Sequence, residues 1–145
     1  MTAALLDVNV LISLAWPNHP CHEAARAWFD GHSGPWASCH LTQAGFLRIA
    51  SNPRILPGAL PIRDVYRLLQ AMAEHPRHVY WPEAPAPATI TLFDGSNVRG
   101  HQQVTDICLL ATAIHHGGSF VTFDRAIEQF AAQSAATGIV VRLNG

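Results

Sequence analysis

The feature that most restricts this chain is an apolar run punctured by a carboxylate. Residues 3–15 read "AALLDVNVLISLA", with Asp7 and Asn9 set among aliphatic side chains. Burying a carboxylate is costly unless something compensates its charge. The run is also shorter than the ~20 residues a membrane helix needs. Two elements resolve the conflict: a short buried strand over 3–6, and a helix over 8–15 that stops at Trp16-Pro17. Asp7 then sits at the carboxyl end of the strand.

The rest of the chain repeats this alternation. Helices are expected over 22–29, closed by Gly31, and over 41–51, stopped by Asn52-Pro53. Another is expected over 61–75, opened by a proline and spaced for one apolar face at Val65, Leu68, Leu69 and Met72. Strands are expected at 35–38, 78–81, 119–123 and 139–143. The segment 104–118, "VTDICLLATAIHHGG", reads as an amphipathic helix ended by a glycine pair, with His115-His116 in its last turn. A further short helix is expected over 124–131. The stretch "PATITLFDG" at 87–95 is ambiguous, since its β-branched residues favour a strand and its place in the order favours a helix. Such alternation predicts an α/β fold: a mostly parallel sheet of four to five strands with helices on both faces.

The chain has 145 residues and no linker, so it reads as one domain over 1–145. Hydrophobic residues make up 49% and charged residues 13%, which excludes disorder. The three cysteines, Cys21, Cys39 and Cys108, are scattered and form no disulfide framework. The start lacks a basic stretch followed by a small-residue cleavage site, so no signal peptide is expected. A cytoplasmic location follows as the expectation. All nine Lys and Arg positions are arginine. That suits phosphate recognition, and it argues against mechanisms that require a lysine.

Sites in open parallel sheets lie beyond the carboxyl ends of the strands. Asp7 and Asp124 each follow a strand-like run, and Asp106 lies where a polar loop enters the long helix. An N-cap role accounts for any one of them. Three at matching positions point further. Clustered carboxylates raise each other's pKa unless a cation lies between them, and hard oxygen donors suit Mg²⁺ or Mn²⁺. Such an ion polarises a phosphoryl oxygen and activates water. The set therefore points to metal-assisted phosphoester chemistry.

In "LLDVNVLISLAWPNHPCHEAARAWF", "GFLRIASNPRI" and "VTDICLLATAIHHGGSFVTFDRAIEQF", taken in this order, the chain resembles the PIN-domain nucleases. Within them it is similar to the VapC-type toxins of toxin–antitoxin modules, in a branch abundant in mycobacteria. The resemblance implies a PIN-like three-layer α/β domain. It also implies an Mg²⁺- or Mn²⁺-dependent endoribonuclease that cuts tRNA or rRNA and is held inactive by a VapB-type antitoxin. It places the catalytic, metal-binding acids on Asp7, Asp106 and Asp124, with Asn9 and Thr122 in support. Arg48, Arg99 and Arg125 are candidates to grip the RNA backbone. A homodimer is implied, with the surface around Phe46, Leu68, Leu69 and Met72 as its candidate interface.

One departure stands out. Most PIN domains carry a glutamate in the helix around "LTQAGFLR", and here Gln43 and Gly45 occupy that neighbourhood. No acid occurs between Asp30 and Asp64, which leaves Glu23 or Asp94 as possible substitutes. The gap keeps open a catalytically inactive PIN module that only binds RNA or a partner. "DVNVL" also resembles the nucleophile loop of haloacid dehalogenase-type phosphatases, but Asn9 replaces its second acid and the supporting lysine is absent. "HPCH" at 19–22 with Cys39-His40 offers soft zinc ligands, without the paired C-x₂-C spacing.

Overall fold

The structure is a computed structural model that describes residues 2–134 and 136–145. Its centre is a five-stranded, all-parallel sheet of β1 (Ala4–Leu6), β2 (Trp36–Cys39), β3 (His78–Trp81), β4 (Ser119–Thr122) and β5 (Val140–Arg142). The spatial order is β3-β2-β1-β4-β5. The crossovers carry α1 (Val8–Ala15) and α2 (His22–Gly31), then α3 (His40–Ala50) and α4 (Ile62–Ala73), then α5 (Val104–His115), and last α6 (Arg125–Ala132).

Side chains alternate along each strand, so the sheet divides the core in two. Leu5 and Phe120 face a cluster built on α5 and α6, with Ile107, Leu109, Ile127 and Phe130. Ala4, Leu6 and Val121 face the other cluster, built on α1, α3 and α4 with Leu11, Phe46 and Val65. This is the three-layer arrangement expected from the alternation. Phe46 is fully buried against Trp16, and Leu69 is buried as well. Phe46 and Leu69 of the expected interface are therefore corrected to core residues, whereas Leu68 and Met72 are only half-buried and line an open apolar cleft.

The stretch 87–95 is neither strand nor α-helix. It forms two 3₁₀ turns, Pro87–Thr89 and Thr91–Asp94. Pro87 opens the first, and the Thr89 hydroxyl donates to the Ala86 carbonyl at 2.7 Å. Such local side-chain bonds compete with regular structure.

Two glycines set the helix positions that matter below. The Gly45 Cα lies so close to α1 that an added Cβ would stand 2.7 Å from Val8 Cγ2. That lets α3 pack beside the first turn of α1. Gly117, at φ +66, ends α5. Gly118 N donates to Ala113 O and Gly117 N to Ile114 O, which is a Schellman motif. The turn feeds β4 back alongside β1.

Candidate active site

The sheet order reverses beside β1: the chain runs outwards through β2 and β3, then crosses back to lay β4 against the other edge of β1. Such a switch point opens a crevice at the carboxyl ends of the two strands. Asp7 follows β1 there, and its N–H donates to Val121 O of β4 at 2.9 Å. Asp124 follows β4 by two residues. Asp106 joins them from the first turn of α5.

Asp7 is buried and both of its oxygens are engaged. Oδ1 accepts from Val8 N and Oδ2 from Thr122 Oγ1, each at 2.7 Å. Thr122 is fully buried, and its oxygen also accepts from Asp124 N at 3.0 Å. One hydroxyl thus ties together two acids that lie 117 positions apart in the chain. Asp124 caps α6 by accepting from Ala126 N at 2.7 Å, as Asp7 caps α1.

The electrostatics are strained. Burial raises the Asp7 pKa, against the lowering effect of its Thr122 and Val8 hydrogen bonds. Asp106 is pushed up to about 7 by burial, by the charges of Asp7 and Asp124, and by its side-chain interaction with the Asp124 carboxyl. Among the described residues the ion pairs are Arg26–Asp30 and Arg142–Glu128, so no protein cation offsets this trio.

Among the described residues no three His, Cys, Asp or Glu side chains form a ready-made metal cage. The donor chemistry nevertheless fits a hard divalent cation. Mg²⁺ keeps several waters and needs only one or two carboxylates, and uncompensated oxygens with raised pKa values are what such an ion would relieve. Asp106 and Asp124 open onto a cavity of about 390 Å³ that Arg99, His101 and Gln103 also line. A mostly apolar cleft of similar volume lies between α1, α2 and α4, lined by Leu11, Phe29 and Met72 together with Arg26, Glu74 and His75.

The remaining sequence candidates separate clearly. Asn9 is exposed on α1, and its carboxamide makes no hydrogen bond among the described residues; only its carbonyl accepts, from Ser13 Oγ. Glu23 and Asp94 are exposed and do not line the carboxylate cavity. Arg48 and Arg125 are exposed outside it, whereas Arg99 lines it. Gln43 does not stand in for the missing glutamate. Its Nε2 donates to Ser38 Oγ at 3.0 Å, and Ser38 lies 2.7 Å from His78 Nε2. His78 Nδ1 donates to Ala73 O, so Nε2 is left to accept the Ser38 proton. Burial lowers the His78 pKa, which keeps this ring neutral. The network pins α3 to β2 and β3.

The zinc candidates do not gather into a group of three ligands among the described residues. His19 Nδ1 accepts from Cys21 N, and His22 Nδ1 donates to Ser13 O, so both rings shape the entry to α2. His101 and Gln103 are cavity residues that the sequence pattern did not single out. Their signal was the polar run 99–103 just before Asp106, which marks a loop but not its direction.

A family model described as PIN domain matches residues 4–133. The ribonuclease VapC39 of Mycobacterium tuberculosis is 41% identical over 138 residues, covering 94% of this chain and 96% of the relative. VapC44 of the same organism is 43% identical over 134 residues, covering 91% and 93%. Among solved structures, the Mycobacterium tuberculosis toxin VapC20, described as cleaving the sarcin-ricin loop, superposes with a TM-score of 0.67 at 11% identity. It covers 98% of this chain and all of that one. VapBC2 of Rickettsia felis superposes with a TM-score of 0.63 at 10% identity, covering 98% and 99%. With a family model over most of its length and curated relatives above 40% identity, the chain belongs to the PIN-domain family and, within it, to the VapC-type toxins.

Proposed function

We propose that this chain is a metal-dependent endoribonuclease, the toxin of a toxin–antitoxin module, which cuts a tRNA or rRNA and is inhibited by a cognate VapB-type antitoxin. The observation that carries the reading is the trio Asp7, Asp106 and Asp124. These acids come from three elements, converge at the β1/β4 switch point, and receive no cation from the protein. The ribonuclease names of the curated relatives and the sarcin-ricin loop activity of VapC20 support the same chemistry.

Asp7, Asp106 and Asp124 would hold Mg²⁺ or Mn²⁺, which when bound lowers the pKa of a coordinated water and polarises a phosphoryl oxygen. The protein's own part is to fix the acids. Thr122 orients Asp7 and the Asp124 backbone together, and the first turn of α1 steadies Asp7 through Val8 N–H. Asp106 must give up its proton before it can act as an anionic donor, so metal binding competes with that proton. Arg99, on the cavity wall, is placed to meet a phosphate. A homodimer remains part of the reading on family grounds alone.

The test is cleavage of total tRNA and rRNA by the purified chain freed of antitoxin, with and without Mg²⁺, followed by mapping of the new RNA ends. Asp7→Asn and Asp106→Asn are expected to abolish cutting, and full activity in a folded variant would overturn the assignment. A second reading, a PIN module that binds RNA without cutting it, is favoured by one observation: Gln43 contributes no carboxylate and is bonded to Ser38. Cutting by wild type that Mg²⁺ switches on and EDTA switches off excludes that reading.

A further inference from the structure

The loop that enters α5 is closed on itself. Gln103 is buried, and its Oε1 accepts from Arg99 N at 2.6 Å, while Gln103 N donates to Gly100 O at 3.1 Å. Between them Gly100 holds φ +145, a backbone region that favours glycine. Two bonds and one permissive residue thus fold 99–103 into a rigid lip on the carboxylate cavity. The lip carries Arg99 and His101, both exposed. Among the described residues neither side chain has a hydrogen-bond or ion-pair partner, although two carboxylates line the same cavity. A guanidinium and an imidazole held at the rim of an acidic cavity, with no internal use, match a phosphate backbone.

We propose that Gln103 is a positioning residue for RNA: by clamping Arg99 N–H it sets the lip so that Arg99 and His101 grip phosphates beside the bond to be cut. The assignment rests on the RNA-cleavage reading and adds the residues that hold the substrate. Gln103 itself touches no RNA. Its amide oxygen acts only through the loop.

The experiment compares wild type with Gln103→Met, which keeps the volume and removes the acceptor, and with Arg99→Gln/His101→Gln. Each is measured for kcat and KM on RNA in Mg²⁺. Each is also measured for binding of a labelled single-stranded RNA in EDTA, where hydrolysis is off, across a range of salt. Gln103→Met is expected to raise KM about tenfold with kcat nearly unchanged. It should also flatten the log–log salt dependence of binding by about 0.7 for each phosphate that the lip no longer neutralises. Gln103→Glu, which retains an acceptor, should restore the salt slope in part. The double variant removes only exposed groups, so it tests the lip even if Gln103→Met fails to fold, and it should show the same phenotype. Wild-type KM and salt slope in the double variant overturn the proposal, as does a loss of kcat with KM unchanged in Gln103→Met. If wild type itself neither binds nor cuts RNA, the cleavage reading falls first and takes the lip with it.

Discussion

Asp106→Asn should make the metal-free protein more stable while it destroys the activity. The wild-type carboxyl is pushed from 3.8 in the unfolded chain to about 7 in the fold. Between those values the folded state binds more protons than the unfolded one, so stability falls as pH rises through the window and the loss is complete above 7. A shift of about 3 units corresponds to about 4 kcal/mol at most. Asp106 is only half-buried, so solvent screening reduces this to roughly 1–2 kcal/mol. Asparagine keeps the shape and removes the charge that meets Asp7 and Asp124. In EDTA at pH 8 the variant should therefore melt about 2–8 °C above wild type. At pH 5, about one unit into that window, the gap should shrink to roughly two-fifths of its pH 8 size, and it should close only below 3.8. Mg²⁺ should raise the wild-type melting temperature at pH 8 and leave the variant almost unmoved. Thermal unfolding at two pH values, with and without metal, measures all of this. If metal-free wild type grows more stable from pH 5 to pH 8, or the variant melts lower at pH 8, the view of a repelling, cation-seeking trio is wrong.

Other outcomes follow from the same contacts. Thr122→Val leaves Asp7 Oδ2 and Asp124 N–H without their partner, which should cost about 2–4 kcal/mol in chemical denaturation. It also removes the bond that lowers the Asp7 pKa, so residual cleavage should fall more at pH 6 than at pH 8. Mg²⁺ binding near pH 7 should release a fraction of a proton as Asp106 ionises, seen as a buffer-dependent calorimetric heat, and affinity should rise with pH through this range. Gly45→Ala sets a methyl against Val8 Cγ2, and overpacking of this kind costs about 1–3 kcal/mol. Because Val8 follows Asp7 directly, kcat should fall along with stability, whereas a wild-type kcat would show that α1 absorbs the shift away from the site.

Much of this architecture is legible without coordinates because its causes are local. Short apolar runs with an aspartate at the carboxyl end mark Asp7 and Asp124, and the amphipathic run from 104 to its glycine pair marks α5. Those patterns need no knowledge of the sheet. The reading fails where neighbours decide. Residues 87–95 carry strand-forming side chains but fold as 3₁₀ turns around Pro87 and the Thr89–Ala86 bond. Phe46 looks like surface on an amphipathic stripe, yet it is sealed against Trp16. Gln43 falls where a metal ligand is expected, and only the fold shows it spent on Ser38 and His78.

The residue pattern alone established an α/β chain with three acids at strand and helix junctions, since burial periodicity and helix capping act over a few neighbours. It also established that no lysine and no fourth acid near Gln43 are available. The meeting of those acids came only with the fold. Laying β4 beside β1 brings Thr122 within 2.7 Å of Asp7 across 115 residues of sequence. That pairing is non-local: the strand order determines it, and no window along the chain encodes it. The same packing turns three ordinary aspartates into a coupled acidic trio, because burial and mutual repulsion exist only once the elements are assembled.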